Sequence, residues 1–273
     1  MVTIGITTYN RKKILEMMAS SLYGSDLSVA HNIRIYDDCS TEYGVEELRR
    51  IFPTAASIEI NKENIRADQN IFQMHKDFLK TSDTFLFNAD SDLIFSKNWL
   101  NTALELVKKT SGILTLFNAN SHGPCRPVDN DLCLKKTIGS AGTLLHRDRI
   151  EELLDYIDST KNVKAFDWQF SGYFNKMEIP IYCVNSSLVQ HIGYIGQNTH
   201  FYFDIGRNFN IESLEQGQIM NDMIESFIDN IREIETARMD NFSYHLRRIV
   251  SIFLKKILPE KMYKSLKRRL IKK

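Results

Sequence analysis

The sequence predicts an α/β protein whose central, mostly parallel sheet carries helices on both faces. Three observations carry this. Strand-like and helix-like segments alternate through the first 117 residues. The polar residues cluster directly after the strands. From about residue 211 the pattern becomes helical only.

In order, residues 2–7 form a β-branched run, and 11–22 have helical spacing with Asn10 as the expected N-cap. Residues 32–36 are strand-like and end in Asp37-Asp38-Cys39-Ser40-Thr41. Residues 45–52 read as a helix stopped by Pro53, and 57–60 as a short strand. Residues 67–79 place Ile71, Phe72, His75, Phe78 and Leu79 at helical spacing. Residues 84–88 form a strand running into Asp90, 99–108 a helix and 112–117 a strand. In such sheets ligands lie beyond the carboxyl ends of the strands. Those positions are rich in hydroxyls and carboxylates and poor in glycine, which excludes a dinucleotide fingerprint or a P-loop.

The 273 residues are 43% apolar and 25% charged, ordinary values for a soluble globular protein. The net charge of +1 hides an asymmetry. Residues 241–273 hold eleven Lys and Arg against one acid, Glu260. The tail therefore carries +10 and the remainder −9. Within the tail, Arg247, Arg248, Lys255 and Lys256 interleave with an apolar stripe, a pattern suited to an anionic membrane surface. The acidic body argues against nucleic acid. The expected division is residues 1–210 as catalytic domain, with halves of about 1–115 and 116–210, and 211–273 as a helical, basic extension. Cys39, Cys125, Cys133 and Cys183 form no CxxC pair. They suggest neither a disulfide nor a metal framework, and hence a reducing, cytoplasmic setting. Residues 1–8 do not read as a signal peptide, and no apolar run reaches the ~18–20 residues that span a bilayer.

Two carboxylates one residue apart at a strand end, Asp90-Ser91-Asp92, can both turn toward one hard cation; taken alone, they read better as a solvated turn. The surrounding motifs decide. Residues 2–11, with Thr7-Thr8-Tyr9-Asn10-Arg11, resemble the opening V-S-V-I-I-P-T-Y-N-R strand of family-2-type, GT-A-fold glycosyltransferases. Residues 37–41 resemble their D-D-G-S-T motif, with Cys39 in place of Gly. Residues 63–70 resemble their E-N-x-G…A-R-N segment, two residues shorter and without its Gly. Asp90-Ser91-Asp92 sits where they place the D-x-D, and residues 138–147 resemble their Gly-rich acceptor-side strand. The order holds over about 200 residues.

The resemblance implies roles. Thr7 and Asp38 would hold the nucleobase, with Tyr9 and Asn10 beside it, and Arg66 or Asn70 would meet the ribose or diphosphate. Asp90 and Ser91 would border the donor, and Asp92 would coordinate Mn²⁺ or Mg²⁺ with Asp90 adjacent. His191, in an H-x-G segment, would complete the metal shell or touch the diphosphate. Asp167 would be the general base toward an acceptor hydroxyl, with Trp168 and Gly142 on the acceptor side. The desolvating aromatics Phe166 and Trp168 would raise the Asp167 pKa; the plainer reading makes Asp167 a helix N-cap before a buried Trp. Residues 196–203 would form a lid. The implied activity is inverting transfer from a nucleoside diphosphate sugar, UDP by default, to a glycan or lipid-linked glycan in bacterial surface polysaccharide synthesis. A nucleotidyltransferase would instead show a Gly-rich basic loop after the first strand. A non-catalytic nucleotide- or sugar-binding module would not need Asp90, Asp92 and Asp167 together.

Overall fold

A computed structural model describes residues 1–160, 166–193 and 205–239. The strands are β1 (Val2–Thr8), β2 (His31–Asp37), β3 (Ala55–Ile60), β4 (Phe85–Asp90), β5 (Leu93–Phe95), β6 (Ile113–Thr115), β7 (Arg126–Pro127), β8 (Leu132–Lys135), β9 (Thr143–His146), β10 (Ile181–Val184) and β11 (Val189–His191). The helices are α1 (Lys12–Gly24), α2 (Val45–Ile51), α3 (Ala67–Leu79), α4 (Trp99–Val107), α5 (Arg147–Thr160), α6 (Phe166–Lys176) and α7 (Leu214–Met239).

Nine strands form one sheet in the order β3-β2-β1-β4-β9-β6-β10-β8-β7, and β5 pairs with β11 in a separate ribbon. The sheet is parallel across β3-β2-β1-β4. Beyond β4 it is mixed: β9 runs antiparallel to both neighbours, and only β6 and β10 pair in parallel. Period-2 alternation splits the core into two layers. Ile4, Ile6 and Phe87 pack with Leu15, Met18, Leu48 and Trp99 on one face. Tyr36 and Leu86 pack with Met74, Phe78, Ile150, Phe170 and Phe174 on the other. The expected helices therefore cover both faces, and the strand ends are left to carry polar groups.

Two expectations fail. Asn10 does not cap α1, because Asn10 and Arg11 are both left-handed, with φ of 51° and 57°, and the helix begins at Lys12 without a side-chain cap. Asn10 instead turns its side chain outward to the loop after β2. The cysteines also pair: Cys125 and Cys133 form a disulfide with a Cα–Cα separation of 5.6 Å. Their spacing of eight residues hid this, because β7 folds back antiparallel on β8 and brings the two together. The reducing setting loses the cysteine argument it rested on.

The chain divides into two compact units, Met1–Met220 and Asn221–Lys273. Within the first, the start of α7 is anchored by Gln216, whose amide donates to the Phe95 carbonyl at 2.8 Å. No helix among the described residues is long and apolar enough to cross a membrane. The basic segment 241–273 lies outside the described residues.

Candidate donor and metal site

β4 lies between β1 and β9 and delivers Asp90 to the carboxyl rim beside Thr7. The Thr7 hydroxyl donates to Asp90 Oδ1 at 3.3 Å, and the Ser91 amide donates to the Thr7 carbonyl at 3.1 Å. The chain then turns at Asp92, which is buried. Arg11 Nη1 donates to Asp92 Oδ2 at 2.8 Å, and Nη2 reaches the Ser91 hydroxyl at 3.3 Å.

His191 arrives from a distant part of the chain. β11 pairs antiparallel with β5, setting His191 opposite Leu93, and the Ile192 amide donates to the Asp92 carbonyl at 2.7 Å. His191 Nε2 thereby stands 3.1 Å from Asp92 Oδ1. Gly193 completes the fit. A Cβ there would overlap the Asp92 carboxylate and crowd the His191 ring, so only glycine lets β11 end against Asp92. This gives the H-x-G spacing a steric reason.

Electrostatically the cluster sets two carboxylates against two cations. Burial and then the neighbouring Asp92 charge raise the Asp90 carboxyl to about 6. Asp92 goes the other way: burial opposes its charge, but His191 and Arg11 outweigh burial and hold it well below the usual carboxylate range. Burial likewise opposes a charge on His191, yet Asp92, with Asp90 behind it, raises its pKa to about 9. Neighbouring carboxylates with diverging proton affinities are a recurrent mark of functional sites.

The donor set fits a hard divalent cation. One ligand atom each from Asp90, Asp92 and His191 lies within 4.8 Å of the others. Asp92 Oδ1 is buried and meets only the His191 imidazole at 3.1 Å, so the two ligand atoms face one another where an ion would sit between them. Two carboxylates and one imidazole suit Mg²⁺ or Mn²⁺.

The rest of the rim is built on strained backbone. Among the described residues six non-glycines have positive φ, and four of them, Asn10, Arg11, Cys39 and Arg66, follow β1, β2 and β3 on this one rim. Such residues persist only where their surroundings over-determine them, and they gather at functional sites. Here the surroundings are visible. Asn10 Oδ1 accepts from the Thr41 amide at 2.8 Å, the Asn10 amide donates to Ser40 Oγ at 2.8 Å, and Tyr43 donates to the Asn10 carbonyl at 2.9 Å. This clamp aims Arg11 at Asp92. Asp37 closes its own turn onto Ser40. Asp38 accepts from the Ile65 and Arg66 amides, both at 2.8 Å, and from Asn61 at 3.0 Å. Asn70 is buried and donates to the Tyr36 carbonyl at 2.9 Å. Asp38 thus spends its side chain on the loop at 61–66, and Asn70 divides its own between β2 and Asn61, from which it accepts at 3.2 Å, while Arg66 is exposed and Tyr9 is half-buried.

Arg11 and Gly193 were not among the expected site residues. Both were present in the quoted motifs. The signals were a cation directly after the strand-end Asn10 and a glycine two residues beyond His191.

On the acceptor side, buried Gly142 has φ +73°, and its amide donates to the Asn88 carbonyl at 2.8 Å, tying β9 to β4. Asp167 lies in the first turn of α6, and its side chain is outside the described atoms. Trp168 is 68% exposed, so it is not a buried helix anchor. Of the expected lid, residues 196–203 are outside the described chain. A groove of about 480 Å³ lined by Arg34, Glu59, Gln73, Asp77, Lys80 and Thr81 lies beside β2, β3 and α3 and includes none of these rim residues.

Sheet order, rim position of the D-x-D and the β5–β11 ribbon together define a GT-A-type α/β fold, the fold of glycosyltransferases. No protein-family model matches the chain, and no curated protein sequence matches it. Among solved structures it is similar to S. aureus TarS 1-349, with a TM-score of 0.50 and 13% identity, covering 69% of this chain and 59% of that one. It is also similar to TarS 1-349 in complex with UDP-GlcNAc, with a TM-score of 0.49, 13% identity and coverage of 79% and 60%. A third similar structure is the mannosyltransferase PcManGT from Pyrobaculum calidifontis in complex with GDP-Man and Mn²⁺, with a TM-score of 0.43, 14% identity and coverage of 56% and 46%. The chain thus spans about 59% of TarS 1-349, and at these identities the likeness is one of fold.

Proposed function

We propose that the chain is a metal-dependent glycosyltransferase that moves a sugar from a nucleoside diphosphate sugar, with UDP as the donor nucleotide, to a glycan hydroxyl. The observation that carries this reading is the cluster of Asp90, Asp92 and His191 on the carboxyl rim, with one ligand atom of each within 4.8 Å of the others. Asp92, Asp90 and His191 would hold Mn²⁺ or Mg²⁺, which supplies neutralisation of the leaving diphosphate. Arg11 keeps Asp92 ionised and adds a permanent positive charge at the same place. Thr7, Tyr9, Asn10, Arg66, Asp90 and Ser91 border the donor. Asp38 acts by fixing the 61–66 loop, and Asn70 by tying Asn61 of that loop to β2.

Asp167 takes the proton from the acceptor hydroxyl as that oxygen attacks the anomeric carbon, in one inverting displacement. Its support is its place at the start of α6 and the motif around it. Trp168 offers an exposed aromatic face on which a sugar ring can stack, and Gly142 lets the turn before β9 pack against Val189 and Phe117. The catalytic domain is assigned to residues 1–210. The extension at 211–273 is assigned a basic, peripheral contact with an anionic inner membrane surface, where lipid-linked surface glycans would be the acceptors.

A thermal-shift screen of UDP-, GDP-, CMP- and dTDP-sugars, with and without Mn²⁺, tests the reading. One donor class should stabilise the protein in a Mn²⁺-dependent way, and its hydrolysis should vanish in Asp92→Ala. Stabilisation by no donor, or metal-independent hydrolysis surviving Asp92→Ala, would overturn it.

A further inference from the structure

The far end of the same sheet holds a second constellation that the glycosyl-transfer reading leaves unused. β8 and β10 are antiparallel and set Cys133 directly opposite Cys183. Cys125 precedes β7, which pairs with β8 so that Pro127 lies opposite Cys133. One disulfide needs two sulfurs, yet three converge here: the sulfurs of Cys125, Cys133 and Cys183 all lie within 4.8 Å of one another. Cys133 and Cys183 are buried, and Cys125 is half-buried on a loop.

We propose that the reduced chain binds one thiophilic divalent cation of the zinc class on Cys125, Cys133 and Cys183. Tetrahedral thiolates about 2.3 Å from zinc stand roughly 3.8 Å from one another; Cys125 and Cys133, joined in this structure, would separate to that distance on reduction, and Cys183 already lies within 4.8 Å of both. Thiolates select this class of metal over the hard cations suited to the Asp90 site. Charge is accommodated as well. Three thiolates and a divalent ion leave one negative charge. Burial pushes the Cys183 thiol up to about 12, and Lys135, buried two residues along β8 from Cys133, opposes that rise while donating to the Ala119 carbonyl at 2.5 Å; a bound cation supplies the rest of the drive to the thiolate. Asn118 Nδ2 donates to Cys125 Sγ at 3.7 Å, the kind of outer hydrogen bond that orients a metal-bound thiolate. The Cys125–Cys133 disulfide is then the metal-free, oxidised form of the same cluster. The inference does not depend on the proposed function.

The test uses the full chain. A water-soluble phosphine opens the disulfide to two thiols and takes up one oxygen from water as the phosphine oxide. After its anaerobic removal, the protein is titrated with Co²⁺ as a spectroscopic probe and then with Zn²⁺. Sulfur-to-cobalt charge-transfer absorption should saturate at one equivalent and disappear with one equivalent of Zn²⁺. Cys183→Ser and Cys125→Ser should each weaken binding at least tenfold, while Cys39→Ser should leave it unchanged. If Cys183→Ser fails to fold, Cys125→Ser, at a half-buried loop position, decides. Absence of the charge-transfer band in the reduced wild type overturns the proposal, as does a band of full strength and affinity in a folded variant lacking Cys125 or Cys183.

Discussion

The two halves of the sheet handle polar residues differently. In β3-β2-β1-β4 every strand runs the same way, so each one discharges its polar residues onto one rim. There Thr7, Asn10, Arg11, Asp38, Arg66 and Asp90 meet through short local turns. Across β9-β6-β10-β8-β7 directions are mixed, with β6 and β10 parallel and the other pairs antiparallel, and apart from the β7–β8 hairpin the neighbours come from distant sequence. Cys183 faces Cys133, and in the attached ribbon His191 faces Asp92 across 99 positions. A parallel half concentrates chemistry that periodicity can locate. A mixed half supplies partners that only pairing register reveals.

The sharpest way to break this comparison is to remove the residue on which both parts converge. Asp92→Asn should reduce transfer by about 1000-fold, since a metal ion contributes several kcal/mol to such a step and each 1.36 kcal/mol is tenfold. It should also abolish Mn²⁺-dependent stabilisation by donor. A loss of under tenfold would mean that the two parts meet at Asp92 without functional consequence.

The next effect lies beneath the parallel rim. His75 is fully buried on α3. Its Nδ1 lies 2.9 Å from the Ile71 carbonyl and its Nε2 3.4 Å from Asn88 Nδ2, contacts that suit a neutral ring with the proton on Nδ1. Burial lowers its pKa to about 4. The folded form thus resists a proton that the unfolded chain accepts near 6.5. The associated stability is fully present above about 6.5 and is lost as pH falls from there toward about 4. The loss amounts to about 3 kcal/mol. Denaturant titrations at pH 7 and pH 4 should show it, and His75→Gln should remove most of that difference. An unchanged slope in the variant would reassign the acid sensitivity to the carboxylates.

In the ribbon, Gly193→Ala introduces a methyl where the Asp92 carboxylate stands. It should lower activity and Mn²⁺ affinity 10- to 100-fold, the range seen when groups supporting metal ligands are disturbed. The melting temperature should change little, because the overlap is at the end of a three-residue strand. Equal loss of stability and activity would mean that Gly193 serves the fold and not the site.

Legibility followed the same division. The first strands and helices could be read closely because alternation and 3.6-residue spacing are local; α3 spans the residues expected of it, 67–79. The rim position of Asp90 followed from the strand before it. Backbone conformation was not legible. Nothing in the residue types announces that Asn10 and Arg11 are left-handed, so Arg11 was passed over and Asn10 was read as a cap. Asp38 and Asn70 look like ligand contacts in sequence, yet their hydrogen bonds go to the 61–66 loop and to β2. The Cys125–Cys133 pair was missed because its cause is a hairpin too short to show periodicity.

The smallest prediction concerns backbone that the parallel rim holds against its residue types. The glycosyltransferase motifs that residues 37–41 and 63–66 resemble carry Gly where this chain has Cys39 and Arg66. The structure nevertheless keeps a positive φ at both, 64° at Cys39 and 73° at Arg66, the latter with an extended ψ of 160°. Arg66 is held by the Asp38 carboxylate on its amide, and Cys39 by the turn between Asp37 and Ser40. For an L-residue a positive φ of this kind costs on the order of 1–3 kcal/mol, and glycine returns part of that through the entropy of the unfolded chain. Cys39→Gly should therefore stabilise the protein by about 1 kcal/mol in a denaturant titration, without changing donor affinity. Arg66→Gly should give a similar gain in stability but weaken donor binding, because it also removes an exposed guanidinium from the rim. If both variants gained stability and neither lost affinity, Arg66 would be strain without function, and Arg11 would be left as the cation that serves the site.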